Sequence, residues 1–175
     1  MKKLTIGLLA IFIIFSCKNV DQYRAPIDSL TAEWTKAGEN VMNTYGSIGT
    51  SKIMMNTFVD SFKIDSTKKW SKEALIMMDS MKTAFVAQYN GINKLSTEVE
   101  EFKNKWTTMT ADVDALSKGL KEGKLEGDVM VKINDLKANC QMAVTQSEAW
   151  NKNVTGAQTT VVQAWDLFKK AKLMK

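Results

Sequence analysis

The sequence predicts an all-α fold, an elongated antiparallel three-helix bundle packed like a coiled coil. Apolar residues recur at alternating spacings of three and four along three long segments, and no segment shows a comparable run of strict alternation. One Pro and nine Gly in 175 residues are too little turn material for a many-stranded sheet. Hydrophobic residues make up 45% of the chain, close to the globular norm of about 45–50%. A packed core is therefore expected.

The chain opens with a basic segment followed by an apolar one. Met1-Lys2-Lys3 precedes twelve residues, Leu4 to Phe15, among which Thr5 is the only clearly polar one. This order and length are typical of a secretory signal peptide. The run is too short to span a membrane, which needs about 20 apolar residues. It ends in Ile14-Phe15-Ser16-Cys17 and passes at once to polar Lys18-Asn19.

The segment Ile14–Cys17 resembles the lipobox of bacterial lipoproteins, in which a small residue precedes a Cys that is acylated and becomes the mature N-terminus. The resemblance implies cleavage between Ser16 and Cys17, and therefore a signal peptide over residues 1–16. It also implies a covalent lipid on Cys17, with acyl chains such as palmitate as the link to the bilayer, and no other cofactor. Two or three chains hold a protein on a bilayer, whereas one chain binds reversibly. Because Lys18 stands where an Asp tends to retain lipoproteins at the inner membrane, we expect a bacterial cell envelope location at the outer membrane, periplasmic or surface-facing.

Residues 17–25 are expected to form a lipidated tether, and residues 26–175 the helical bundle domain. Pro26 suits a first helical turn because its φ is already fixed at a helical value. Asp28 lies near the positive end of the same helix, where a carboxylate is favourable.

Three apolar series define the helices, and they run from Ile27 to Asp65, from Met78 to Leu120 and from Ile133 to Ala171. Apolar residues fill 32 of their 37 positions, a pattern that predicts helices packed through a narrow seam. The expected helix lengths are roughly 40, 50 and 45 residues. At about 1.5 Å per residue, the bundle is about 60–75 Å long.

Two connections separate the helices. In the first, Ser66, Thr67 and Ser71 are candidates to cap the second helix. The second contains Gly123 and Gly127, and Asp128 is a good N-cap for the third helix. Short connections make neighbouring helices antiparallel.

The segment Tyr45–Thr50 contains Gly46 and Gly49, and each Gly costs about 1 kcal/mol in a helix interior relative to Ala. Because the apolar spacing continues through them, we expect one kinked helix. The alternative is a break here that makes residues 52–64 a separate helix of a four-helix bundle.

Aromatic residues provide the main candidate site. If the helices pair as expected, four rings fall within about two core layers and face the small side chains of Cys140, Ala143 and Ser147. We interpret the rings as core packing. The alternative is a pocket for a small apolar ligand between helices. The four residues are Trp34, Phe102, Trp106 and Trp150.

Other features have simpler interpretations. A group of methionines, Met54, Met55, Met77, Met78 and Met81, is expected mainly in the core. The alternative for Met54 and Met77, which lie beside the seam, is an exposed apolar patch that contacts a partner. Cys140 is expected to be a structural thiol.

The charged residues are expected at the surface. Exposed helix faces are expected for Glu98, Glu100, Glu101, Asp112 and Asp114. Lys118, Lys121 and Lys124 are expected in a solvated turn, with contact to anionic headgroups as the alternative. Lys169, Lys170, Lys172 and Lys175 complement the negative end of the last helix.

Composition excludes several functions. The chain has no His, and its two Cys cannot build a Cys₄ zinc site. Without the signal peptide it has 22 basic and 19 acidic residues, too small an excess to indicate nucleic-acid binding. We therefore expect a membrane-anchored, non-catalytic interaction or structural module with an unidentified protein partner. The alternative is a small apolar ligand-binding bundle that uses Trp34, Trp106 and Trp150.

Overall fold

The computed structural model describes residues 20–174 and is all-α, as predicted. Three long helices pack against each other and no strand occurs among the described residues. After a short 3-10 helix, Val20–Tyr23, come α1 (Arg24–Phe58), α2 (Lys72–Glu122) and α3 (Val129–Ala171). Their lengths of 35, 51 and 43 residues are near the expected ones. The predicted signal peptide, the cleavage residues Ser16 and Cys17, and Lys175 lie outside the described residues.

Contacts between side chains give the topology. Thr31 of α1 contacts Ser117 of α2, whereas Lys52, further along α1, contacts Ser96. α1 and α2 are therefore antiparallel. α1 and α3 are parallel, because Thr44 contacts Asn151 and Ser51 contacts Gln158, with the same separation along the chain in both pairs.

The predicted seam forms the core. Of its 37 positions, 31 are buried, five are half-buried and only Asp65 is exposed. Two of the three buried polar seam residues have a hydrogen-bond partner on α3. Asn151 Nδ2 donates to Thr44 Oγ1 at 2.9 Å, and Gln158 Nε2 donates to Ser51 Oγ at 2.6 Å. Because a buried polar group is costly without a partner, these bonds explain how Thr44 and Ser51 occupy the seam.

α1 continues unbroken through Tyr45–Thr50, which confirms the single helix and not the four-helix alternative. Ile48 is fully buried between the two glycines, which are exposed. A Cβ atom at Gly46 or Gly49 would meet nothing within 4 Å. Burial of Ile48 on the core side therefore holds the helix together while the glycines face outward.

The helical part begins earlier than expected. Residues 20–25, assigned to the tether from the sequence, form the 3-10 helix and the start of α1. Val20 and Tyr23 pack against the core, and burial of these apolar side chains explains why the segment is not extended. Pro26 is thus the third residue of α1 and lies in its first turn, as predicted.

α1 also ends earlier than the apolar series predicts. It stops at Phe58, and residues 59–62 continue as turns. Phe62 is still fully buried, with its ring stacked on Phe85 at 4.6 Å between centroids. The chain therefore turns inward after α1, and Phe62 closes the end of the bundle.

The caps at the connections are partly as predicted. Ser71 and Asp128 are the N-caps of α2 and α3, where their side chains accept hydrogen bonds from the backbone N–H groups of Ala74 and Val131. Ser66 is exposed at the connection, and the Thr67 hydroxyl donates to Asp65 Oδ1 instead of capping a helix.

α2 ends in a left-handed residue, Gly123, with φ 66°. Its N–H donates to Leu120 O, and the N–H of Lys124 donates to Gly119 O at 2.8 Å. This pair of bonds is the Schellman motif, which satisfies carbonyl groups at a helix end.

Candidate functional site

The four aromatic residues predicted to lie together do so, across all three helices. Trp34 of α1 stacks on Trp106 of α2, with centroids 3.8 Å apart and an interplanar angle of 12°. Phe102 lies 6.2 Å from Trp106 and meets Trp150 of α3 edge-on at 5.3 Å. The three indoles are at most 8% exposed, and Phe102 is half-buried. These separations are those of packed aromatic pairs.

Two of the three indole N–H groups donate hydrogen bonds to residues that the sequence did not identify as partners of the aromatic cluster. Trp34 Nε1 donates to Thr110 Oγ1 at 3.0 Å. Trp150 Nε1 donates to Glu98 Oε1 at 3.1 Å. Glu98 is exposed, as predicted for a solvated face. Its carboxylate also holds the Trp150 ring in place in the core. The heptad spacing did not reveal these partners because they lie beside the seam and not on it.

Gly38 makes room for the central indole. A Cβ atom at this position would lie 3.1 Å from Trp106 Nε1. The absence of a side chain therefore lets the indole lie close to the backbone of α1. Gly38 directly follows the seam residue Ala37, and this adjacency was the only sequence signal for its role.

Beside the rings, Ser147 is buried without a partner. Its Oγ atom forms no hydrogen bond within the described chain, and neither does the buried Oε1 of Gln146. An unsatisfied buried polar atom costs about 1–3 kcal/mol. Ser147 therefore fills a seam position by its small size and not by a polar contact.

Cys140 is a buried, free thiol next to a charged group on the surface. Burial is the main cause that raises the pKa of the Cys140 thiol to about 11, with a smaller contribution from the negative charge of Glu33. Lys137 Nζ bonds to Glu33 Oε1 at 3.0 Å, and the Ser29 hydroxyl donates to the same oxygen. The Ser29 bond and then the Lys137 bond lower the pKa of the Glu33 carboxyl.

Five hollows lie in the grooves between helices, and none of the five is lined by a tryptophan. One of about 460 Å³ lies between α2 and α3 near their connection, with Met109, Leu116 and Leu136 among its lining residues. Asp112 also lines it. Its volume is within the range of about 300–1,000 Å³ typical of ligand pockets. None of the four aromatic residues of the cluster is among its lining residues.

The predicted methionine group belongs to the other half of the core. Met55 and Met78 are fully buried, whereas Met54, Met77 and Met81 are half-buried and pack against the same cluster. Met54 and Met77, which lie beside the seam, therefore extend the core.

The remaining charged residues are at the surface. Four predicted carboxylates, Glu100, Glu101, Asp112 and Asp114, are exposed, as are Lys118, Lys121 and Lys124 at the connection from α2 to α3. At the end of α3, Lys169 pairs with Asp166 at 2.9 Å, and Lys172 Nζ lies 4.6 Å from the centroid of the Phe168 ring.

Among residues 20–174 there is no group of three or more carboxylate, His or Cys side chains arranged to hold a metal ion. None of the described helices combines the length and apolar character needed to cross a membrane. Comparison with protein-family models, with curated protein sequences and with solved structures gives no match for this chain.

Proposed function

We propose that the chain is a lipoprotein of the bacterial cell envelope, held on a membrane by acyl chains at Cys17, and that its bundle is a non-catalytic interaction or structural module. The observation that supports this best is the position of Val20 in the bundle. Val20, three residues after Cys17, packs against the core cluster that contains Leu120 and Val129, at the end of the bundle where α2 connects to α3. An anchor at Cys17 would therefore hold the rod by one end.

The opposite end of the rod would then project away from that membrane. It consists of residues 59–76 and 166–174, which we call the far tip. α2 alone has 51 residues, which at about 1.5 Å per residue corresponds to about 75 Å. A rod of this length supports a role as a spacer. It also supports a role in which the far tip contacts another envelope component, such as a protein partner.

The proposed absence of catalysis is supported by the chemistry of the side chains. The chain has no His to act as a base. The buried Cys140 thiol, with its pKa of about 11, is protonated at neutral pH and is a poor nucleophile because the thiolate is the reactive form.

The alternative of a small apolar ligand held by Trp34, Trp106 and Trp150 has less support, because these rings pack on each other and on Phe102. Intrinsic Trp fluorescence provides its test. We expect no change in emission across a panel of apolar ligands, and saturable quenching would favour the ligand-binding alternative.

Acyl labelling tests the main proposal. In a bacterial host that expresses the full chain and is fed an alkyne analogue of palmitate, we expect the chain to be labelled and to fractionate with membranes. Cys17→Ala should abolish both. Cys140→Ala is the matched control, because it removes the other Cys and should leave labelling unchanged. Labelling that persists in Cys17→Ala, or that is lost only in Cys140→Ala, would contradict the proposal.

A further inference from the structure

The far tip has a local excess of positive charge that the rest of the described chain lacks. It contains seven Lys and four acidic residues, whereas the whole of residues 20–174 has 20 basic and 19 acidic residues. The near end, residues 20–28 and 117–132, has five of each sign. The far tip therefore has a net charge of +3, and the rest of the described chain is net negative. The basic residues of the far tip are Lys63, Lys68, Lys69, Lys72, Lys169, Lys170 and Lys172.

Several of these lysines are available to a partner. Lys63, Lys68 and Lys169 pair with acidic residues three positions away. Within residues 20–174, Lys69 and Lys170 are exposed and form no ion pair. The excess charge at the tip is therefore not neutralised by the protein itself.

Apolar side chains are exposed among these lysines. Leu173 is 81% exposed and Ile76 is 62% exposed. Two indoles, Trp70 and Trp165, are half-buried at the same end. Trp at a polar–apolar boundary, together with Lys and exposed Leu or Ile, is typical of surfaces that meet the headgroup region of a membrane.

The shape of the tip distinguishes between possible partners. None of the five hollows described above is lined by a residue of the far tip, and Leu173 and Ile76 of the tip are exposed instead. A bilayer needs no recess, because exposed apolar side chains enter it while the lysines remain among the headgroups. The observations therefore favour a lipid surface over an acidic protein.

We propose that the far tip binds an anionic lipid bilayer. With the near end anchored through Cys17, the rod would bridge two lipid surfaces about 75 Å apart. Only this bridging statement depends on the proposed function, because the contact between tip and bilayer requires no acylation.

Vesicle binding tests the contact. The chain from Lys18 to Lys175 lacks Cys17 but keeps every residue of both core clusters, which lie between Ile27 and Ala171. We expect it to sediment with vesicles of phosphatidylcholine and phosphatidylglycerol, less so as salt is raised, and only weakly with phosphatidylcholine alone. Each lysine near an anionic surface contributes about fivefold in affinity.

Two pairs of substitutions make the test specific. Lys69→Gln with Lys170→Gln should reduce affinity for the mixed vesicles by about 25-fold. Lys36→Gln with Lys105→Gln is the matched control, because both residues are exposed on the shaft and the net charge changes equally. All four positions are exposed, so melting temperatures should be unchanged and should confirm that both variants fold. Leu173→Ala should also weaken binding, by severalfold.

Three results would overturn the proposal: equal binding to both kinds of vesicle, an equal loss in the shaft control, or no binding to either kind. In the last case, cross-linking of the tip to an envelope protein that depends on Lys69 and Lys170 would assign the surface to a protein partner. Failure of this test leaves acylation of Cys17 unaffected, so the two proposals fail separately.

Discussion

The same substitution, Gly to Ala, should have opposite effects at two positions of this bundle. Gly46 lies within α1 with open space around it, and a Cβ atom there would meet nothing within 4 Å. Gly119 is buried near the end of α2, where a Cβ atom would lie 2.6 Å from the backbone oxygen of Lys124 and 2.9 Å from Leu125 Cδ2. Neither glycine has a positive φ, so the difference is one of space.

The magnitudes follow from these surroundings. Gly46→Ala should stabilise the protein by about 0.5–1 kcal/mol, because Ala loses less backbone entropy in a helix. At Gly119 the same gain is opposed by overpacking, which typically costs about 1–3 kcal/mol. The clash also disturbs the bond from the N–H of Lys124 to Gly119 O, and such a bond is worth about 1 kcal/mol. Gly119→Ala should therefore destabilise by about 1–3 kcal/mol.

Urea unfolding followed by far-UV circular dichroism measures both changes. In a chain of this size 1 kcal/mol corresponds to about 2–4 °C in melting temperature, so thermal melts provide a second readout. Gly49→Ala is a further control, since its Cβ atom would also meet open space. A Gly119→Ala variant as stable as the parent, or a destabilised Gly46→Ala variant, would refute the reasoning.

Three further predictions concern the core and one surface cluster. Trp106→Ala should cost about 3–5 kcal/mol as a large-to-small core change, and an unchanged urea midpoint would place the indole outside the core. Ser147→Ala removes a buried hydroxyl without a partner and should leave stability unchanged or raise it by up to about 1 kcal/mol; a clear loss of stability in the same assay would reveal a bond to Ser147. Glu33→Gln should destabilise by about 0.2–1 kcal/mol at pH 7. Because Ser29 and Lys137 lower the pKa of Glu33, its contribution is present above the unfolded pKa of the carboxyl and is lost as pH falls through the folded one. The difference between the two proteins should vanish in acid, and a constant difference would contradict this assignment.

The sequence was sufficient to predict the fold because burial in a bundle is decided by position within the heptad. All twelve seam residues from Ile133 to Ala171 are buried. The polar contacts were not predictable in the same way. The bonds from Asn151 to Thr44 and from Trp150 to Glu98 depend on how far each helix is rotated and shifted along its neighbour. Spacing along one helix contains no information on either quantity.

The same reasoning explains the errors at the ends of α1. The apolar series continued to Asp65, but Phe62 is buried from a turn and not from a helix. The spacing of apolar residues shows which residues are apolar but not their backbone conformation. Near a helix end, the same spacing fits either one more helical turn or a chain that folds back over the core. The early start at Arg24 has a similar cause, because Val20 and Tyr23 lie before the first residue of the series.

The parallel arrangement of α1 and α3 has a mechanical consequence. α1 begins at the near end and α3 ends at the far tip, so tension between these two points would pull the helices past each other along their length. The bonds from Asn151 to Thr44 and from Gln158 to Ser51 would then be strained at the same moment, together with the intervening apolar contacts. Loading in shear resists extension better than peeling, in which contacts rupture one after another. Under such a load the rod would therefore stretch little.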